Sequence, residues 1–354
     1  MKLELLKEIK LPTAALGLSS LEQSTDLLVS CFDGSVLRVN PLTEQWEELG
    51  RHQSYASGVV SVLEGHLAVS AGYDGVLQWH DLSSGKTLAV EKIHDFWSWQ
   101  LKASPDGRRV ASVTGQYLCG GYRYEPAPEK EASVKVFDAA TQSLMASFEH
   151  LPPVLSVAFS PDSRYLAAAN MMGDIRIWDL STGKLEREWN TPDFTSWGII
   201  KSHHYIGGIF DLSFSPDGQH LLVCGMGPMR DPMAGNGKQT WQRFAWQEAS
   251  SPKDQEIKDG ERGRGLMETL CWHPSGDLFC MAGRMAQGSW NTALFQAEDG
   301  ALIQGIDNKT RITRSTFHQD GSQLVLTGAK GQGSPKEGQW SEFGRLLVYD
   351  LIPS

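Results

Sequence analysis

An all-β chain assembled from repeats is the fold class this sequence predicts, and three observations carry it. Glycine is abundant, at 36 residues, without a collagen period, which points to many turns. A tight-turn motif recurs along the chain. A strand-like segment of alternating apolar residues follows each turn. At about 150 residues per domain, 354 residues suggest about two domains. A repeat, where one exists, overrides that arithmetic.

Taken in order, the elements support this class. Leu3 to Ile9 alternates apolar and charged residues, as a strand with one buried face does. The first repeat carries Asp33-Gly34-Ser35-Val36-Leu37-Arg38-Val39, and the second runs from Asp74-Gly75-Val76 through Trp79-His80-Asp81 to Gly85-Lys86. In the third, the turn Ser104-Pro105-Asp106-Gly107 precedes the strand Val134-Lys135-Val136-Phe137-Asp138. The fourth is the clearest, with Phe159-Ser160-Pro161-Asp162-Ser163 followed by Asp174-Ile175-Arg176-Ile177-Trp178-Asp179. Phe214-Ser215-Pro216-Asp217-Gly218 opens the fifth and Trp272-His273-Pro274-Ser275-Gly276 the sixth. Their strands at Trp241 to Trp246 and Trp290 to Phe295 are placed by position. The seventh has Phe317-His318-Gln319-Asp320-Gly321 and then Leu346-Leu347-Val348-Tyr349-Asp350. Pro presets the turn and Asp or Gly completes it, so each motif joins two strands.

These turns and strands resemble the WD40 family of β-propellers over essentially the whole chain. One Trp-Asp pair is present, Trp178-Asp179, while His80-Asp81, Phe137-Asp138 and Tyr349-Asp350 stand in for it elsewhere. The family's stabilising histidine is matched by His94 and His150, and Tyr205 holds the aligned place in the fifth repeat. The resemblance implies a seven-bladed β-propeller of four-stranded antiparallel blades, one domain over residues 1–354. The chain stops just after a third strand, so the N-terminal strand is expected to join the C-terminal blade and close the ring.

Residues beyond the repeat length form insertions at 115–126, 225–240, 283–289 and 329–344, and a long link at 189–208. In an up-and-down blade, all of these fall on one face. Long loops on a rigid scaffold often carry function, and loop drift is the competing explanation. Residues 247–265 have no place that the sequence settles.

A second repetition lies on that face. Asp95-Phe96-Trp97-Ser98-Trp99 and Asp193-Phe194-Thr195-Ser196-Trp197 share the pattern D-F-x-S-W in two blade-to-blade links. Such rings are either rim anchors for a partner or wedges between blades. The candidate protein-binding residues are Phe96, Trp97, Tyr122, Arg123, Tyr124, Phe194, Trp197, Arg230, Arg284, Lys330 and Trp340. Arg230, Arg284 and Lys330 follow second strands, where they either ring the central opening or stay solvated.

Composition narrows the function classes. Net charge is −10, which argues against wholesale phosphate neutralisation and so against nucleic acid as a partner. No apolar run approaches the about 20 residues of a membrane helix, and the start lacks a signal-peptide core, so a cytoplasmic setting is expected. Five cysteines without a CxxC suggest neither a disulfide framework nor a zinc site. Gly235 to Thr240 lacks the residues of a phosphate-binding loop, His203 and His204 lack ligand spacing, and Gly288-Ser289-Trp290 is no nucleophile elbow. No catalytic residue, metal or cofactor is therefore expected. The resemblance implies a non-enzymatic scaffold or assembly subunit that recognises a protein or peptide through its inserted face, as a member of a larger complex or with a transient partner. The alternative is a lactonase-like enzyme or small-ligand binder using the channel mouth.

Overall fold

The computed structural model describes all residues except 23, 116, 119–124, 127–128, 195–207, 228–236, 249–252, 332–342 and 354; at 117–118 and 125–126 it describes the backbone alone. Seven four-stranded antiparallel sheets form the seven blades of a propeller. Blade 1 comprises Ala15–Ser20, Leu27–Cys31, Ser35–Asn40 and Gln45–Arg51, and blade 2 Ala56–Val62, Leu67–Gly72, Val76–Asp81 and Lys86–Lys92. Blade 3 has Gln100–Ala103, Arg109–Val113, Val134–Asp138 and Leu144–Phe148. Blade 4 has Val154–Phe159, Tyr165–Asn170, Asp174–Asp179 and Lys184–Asn190. Blade 5 has Gly208–Phe214, Leu221–Met226, Gln239–Phe244 and Lys253–Glu256. Blade 6 has Arg264–Trp272, Leu278–Gln287, Thr292–Gln296 and Leu302–Ile306. Blade 7 has Arg311–Phe317, Gln323–Ala329 and Gly344–Ile352, with Lys2–Leu11 as its outer strand.

Ring closure follows the expected route. Lys2–Leu11 pairs antiparallel with Gly344–Ile352, from Lys2 opposite Ile352 to Leu11 opposite Gly344. The stretch around 247–265 now has a place: Lys253–Glu256 is the fourth strand of blade 5, and a 3-10 turn at Asp259–Glu261 leads into blade 6.

Each seam between blades has its own apolar core. The seam of blades 1 and 2 holds Leu28, Val36, Ala56 and Ala68, and that of blades 4 and 5 holds Ile175, Ile177, Leu212 and Phe244. The remaining five seams are filled in the same way. A blade alone cannot bury both of its faces, so the ring is the smallest unit that removes this surface from water. Trp79, Trp241 and Trp290 are fully buried in these seams.

The upper face carries the loops between second and third strands and the links between blades. In blade 6 the expected insertion at 283–289 is largely strand: Arg264–Trp272 and Leu278–Gln287 run on as a two-stranded ribbon, with Arg284 opposite Leu266.

The innermost strands hide a second repeat. In six blades the pairing of first and second strands slips by one residue, at Leu16, Ser57, Leu155, Phe210, Glu268 and Thr313. Such a bulge re-aims one side chain out of the alternating pattern. Blade 3, whose first strand starts at Gln100, pairs without a slip.

Candidate functional site

All six bulged residues line one cavity of about 220 Å³ at the upper mouth of the central channel. Tyr73, Trp99, Arg311 and Arg314 complete its wall. A polar belt fixes the inner strands around it. Gln100 donates to the Asp211 carboxylate at 2.9 Å and accepts from the Val157 amide at 2.7 Å. Asp211 is fully buried, and it also accepts from the Leu270 amide at 3.1 Å and faces Lys102 at 3.4 Å. Blades 3 to 6 are thereby tied through one satisfied buried charge.

On the charged side of the mouth, Arg311 grips Glu268 through two hydrogen bonds, at 2.7 and 2.9 Å. Arg314 donates to the Thr313 carbonyl at 2.7 Å and to the Glu268 carbonyl at 3.4 Å. The rest of the lining is mostly apolar or aromatic, with Leu16, Leu155, Phe210, Trp99 and Tyr73. Burial pushes the Tyr73 phenol up to about 12, so it stays a neutral hydrogen-bonding group at physiological pH.

An aromatic shelf runs outward from this mouth across blades 1 to 3. Phe32 stacks on Tyr55 at 3.9 Å between centroids, Tyr55 meets Tyr73 at 5.4 Å, and Tyr73 stacks on Trp97 at 4.6 Å with 4° between planes. Phe96 also stacks on Trp97, at 4.7 Å, and Trp99 meets Trp97 edge-on at 5.3 Å. Local bonds hold the shelf: the Trp99 indole N–H donates to the Gly115 carbonyl at 2.8 Å, and the Thr114 hydroxyl donates to the Trp97 carbonyl at 2.8 Å. Trp97 and Tyr55 remain 39% and 38% exposed, a large aromatic area for a surface.

The candidates read from sequence are thus dispersed. Phe96 and Trp97 belong to the shelf. Phe194 does not reach the surface: it is fully buried in the core between blades 4 and 5, against Ile209 and Trp246. Its 3-10 turn, Pro192–Phe194, aims the ring inward, so this copy of D-F-x-S-W is the wedge. Arg284 sits on the blade 6 ribbon, lining a second recess of about 290 Å³ with Asp307, Lys309 and Arg311. Lys330 turns to Glu8 on the outer strand of blade 7, at 3.5 Å. The described cations at the channel mouth are instead Arg311 and Arg314. Tyr122, Arg123, Tyr124, Trp197, Arg230 and Trp340 lie outside the described residues, as do Tyr205, His203 and His204. Phe32, Tyr55 and Tyr73 were missed, although a signal existed: Phe32-Asp33-Gly34 and Tyr73-Asp74-Gly75 place an aromatic before the same Asp-Gly turn in successive repeats.

Beneath the shelf, blade 2 contains a polar chain that the sequence concealed. His52 Nδ1 lies 3.1 Å from both Asp74 carboxylate oxygens, and its Nε2 lies 2.9 Å from the Ser70 hydroxyl. Ser70 in turn meets His80 Nε2 at 3.0 Å, and His80 Nδ1 meets the Thr87 hydroxyl at 3.2 Å. Burial works against the Asp74 carboxylate, but hydrogen bonds from His52 and from the Gln53 and Val76 amides hold it below its usual range. In blade 3, His94 reaches Ser112 at 2.9 Å and faces Glu131 at 3.8 Å. No group of three or more His, Cys, Asp or Glu residues able to hold a metal occurs among the described residues.

Comparison with known proteins agrees with this geometry. The family model for the WD domain, G-beta repeat, matches residues 142–179 and 196–227. The chain carries WD40 repeats in a seven-bladed β-propeller. It is 25% identical over 45% of its length to WD repeat-containing protein SL1-17 of Schistosoma mansoni, covering 63% of that protein. It is 29% identical over 39% of its length to pre-mRNA-processing factor 19 homolog 2 of Arabidopsis thaliana, covering 24% of it. Against WD repeat and HMG-box DNA-binding protein 1 of Xenopus laevis the identity is 24% over 45% of the chain, and 13% of that protein is covered. Each match thus covers less than two thirds of the relative's own length. No helix among the described residues of this propeller is long and apolar enough to cross a membrane.

Proposed function

We propose that this propeller is a non-enzymatic platform that recognises a protein or peptide on its upper face, as a scaffold or assembly subunit. The observation that carries the reading is the shelf of stacked rings from Phe32 to Trp97, ending at the channel mouth. Stacked rings lose little entropy on binding and bring large apolar area, which is how interface anchors work. The likeness to WD-repeat proteins, pre-mRNA-processing factors among them, supports a role in a protein complex. A lactonase-like enzyme needs a carboxylate or histidine free to act at the mouth. Glu268, the carboxylate that lines the described cavity, is held by both arms of Arg311. A net charge of −10 supports protein over nucleic acid as partner, and a cytoplasmic setting forms part of the same proposal.

Affinity capture from the native source, with the full chain and with a Tyr55→Ala, Trp97→Ala variant, tests the reading. The variant should melt within a few degrees of the parent and lose at least one stoichiometric partner. An unchanged partner set would remove the shelf from recognition.

A further inference from the structure

We infer that the channel mouth binds the carboxylate of an acidic side chain in a peptide, with an apolar neighbour of that side chain seated on the opposite wall; this rests on the protein-recognition reading above. The argument begins with charge. Glu268, Arg311 and Arg314 are the charged residues lining the cavity. Glu268 and Arg311 neutralise each other through paired hydrogen bonds at 2.7 and 2.9 Å. Arg314 remains, and among the described residues its guanidinium meets backbone carbonyls and no carboxylate. A guanidinium has five N–H donors in a planar fork suited to a carboxylate, and neutral carbonyls use only part of that capacity. Among the described residues the mouth therefore carries one positive charge with no carboxylate paired to it, in a chain whose net charge is −10.

The second step is shape. Leu155 on blade 4 lies across the ring from the arginines of blade 7, with Phe210 next to it on blade 5, and the shelf begins at Tyr73. A volume of about 220 Å³ is below the about 300 Å³ at which pockets for free small ligands begin, so the cavity suits side chains inserted from a larger partner. A lysine or arginine from the partner fits poorly. Glu268 is already engaged, and Arg314 repels a second cation.

The bulges make this a built site. Without the slips at Glu268 and Thr313, the charged and apolar side chains would follow the alternation of their strands and would not converge on one opening.

The test uses the full chain and three probe peptides: acetyl-Gly-Phe-Glu-Phe-Gly-amide and its analogues with Gln or Lys at the centre. Binding is followed by tryptophan fluorescence, to which Trp97 and Trp99 contribute. The Glu peptide should bind at least about 10-fold tighter than either analogue, and added salt should erode the difference. Arg314→Gln should reduce the Glu peptide to the level of the Gln peptide, and Arg314→Lys should restore part of the preference. Equal binding of all three peptides, a preference for Lys, or no saturable binding by the Glu peptide would overturn the inference, and these outcomes need no variant to fold. If the Tyr55→Ala, Trp97→Ala protein loses peptide binding while Arg314→Gln keeps its full Glu preference, the shelf reading stands and the carboxylate reading fails. If both variants bind like the parent, both readings fail.

Discussion

Blade 2 with the link that follows it, and blade 4 with the link that follows it, contain the same parts and use them differently. Each has a histidine before its first strand, His52 or His150, with its partner residue eighteen positions later on the second strand. Each is followed by a D-F-x-S-W link. In blade 2 the histidine meets Ser70 and Asp74, and the link lifts Phe96 and Trp97 onto the surface. In blade 4 the position of Ser70 is Ala168, and His150 Nε2 meets that residue's carbonyl at 3.3 Å in place of a hydroxyl. Its Nδ1 has no hydrogen-bond partner among the described residues, and the link drives Phe194 into the core. Blade 4 nevertheless owns the Trp-Asp pair. Family letters and the network they usually mark are separable, and the sector with the poorer motif holds both the complete network and the exposed rings.

The largest expected effect tests the links. Phe194→Ala removes a fully buried ring from a seam and should cost about 3–5 kcal/mol, read by denaturant unfolding. Trp97→Ala should change stability by less than about 1 kcal/mol, because much of its ring already meets water. If Trp97→Ala destabilises as strongly as Phe194→Ala, both links are wedges and the contrast disappears.

Next come the histidines. His52→Leu leaves the Asp74 carboxylate and the Ser70 hydroxyl short of a partner and should cost about 3 kcal/mol at pH 7. His150→Leu removes one long hydrogen bond and should cost less than about 1.5 kcal/mol at the same pH. A similar loss in both variants would show that the two histidines do equivalent work.

How much of this was legible in the sequence depends on which physical signal each feature leaves. The seven blades were legible because Ser-Pro-Asp turns and alternating third strands are local patterns, and ring closure was legible because the last repeat lacks a strand. Residue His52 was not, since its blade turns through Leu63 and Glu64, with φ of 52° and 56°, where other repeats use Pro and Asp. Left-handed backbone at non-glycine residues leaves no compositional mark. The bulges at Glu268 and Thr313 were hidden too, because a one-residue slip does not disturb apolar alternation enough to be seen. That is why Arg311 and Arg314 were not named. The two copies of D-F-x-S-W have the same letters, and only the backbone turn at Pro192–Phe194 separates wedge from anchor.

Acid should sharpen the contrast further. Burial lowers the His150 pKa from 6.5 to about 4, so between those values the unfolded chain binds a proton that the folded chain does not. The stability tied to neutral His150 is therefore fully present above about pH 6.5 and is lost as pH falls toward 4. At pH 5 the loss is about 2 kcal/mol, so His150→Leu should be the more stable protein there although it is the less stable at pH 7. His80 in blade 2, lowered to about 4 by burial, adds an acid sensitivity of the same sign that this variant leaves in place. Unfolding midpoints of parent and variant that run parallel from pH 7 to pH 5 would show that His150 does not set this slope.

The smallest effect comes from completing blade 4 on the pattern of blade 2. Ala168 lies opposite Val157 on the first strand, as Ser70 lies opposite Val59, so Ala168→Ser puts a hydroxyl at the equivalent place beside the histidine. His150 Nε2 would then gain the partner that His52 has in Ser70, in place of a 3.3 Å contact to a carbonyl already used by the strand. One such bond is worth about 0.5–1.5 kcal/mol net, and the added oxygen enters a site now lined by a methyl group. The balance should be a gain of about 0.5 kcal/mol, a rise in melting temperature of one or two degrees for a chain of this size. The same substitution in His150→Leu should lose that gain and turn destabilising, because the hydroxyl would be buried without its ring nitrogen. A melting temperature that falls in both backgrounds would mean that the blade 4 seam is packed around the Ala168 methyl, and that its histidine site diverged through packing as well as through one missing oxygen.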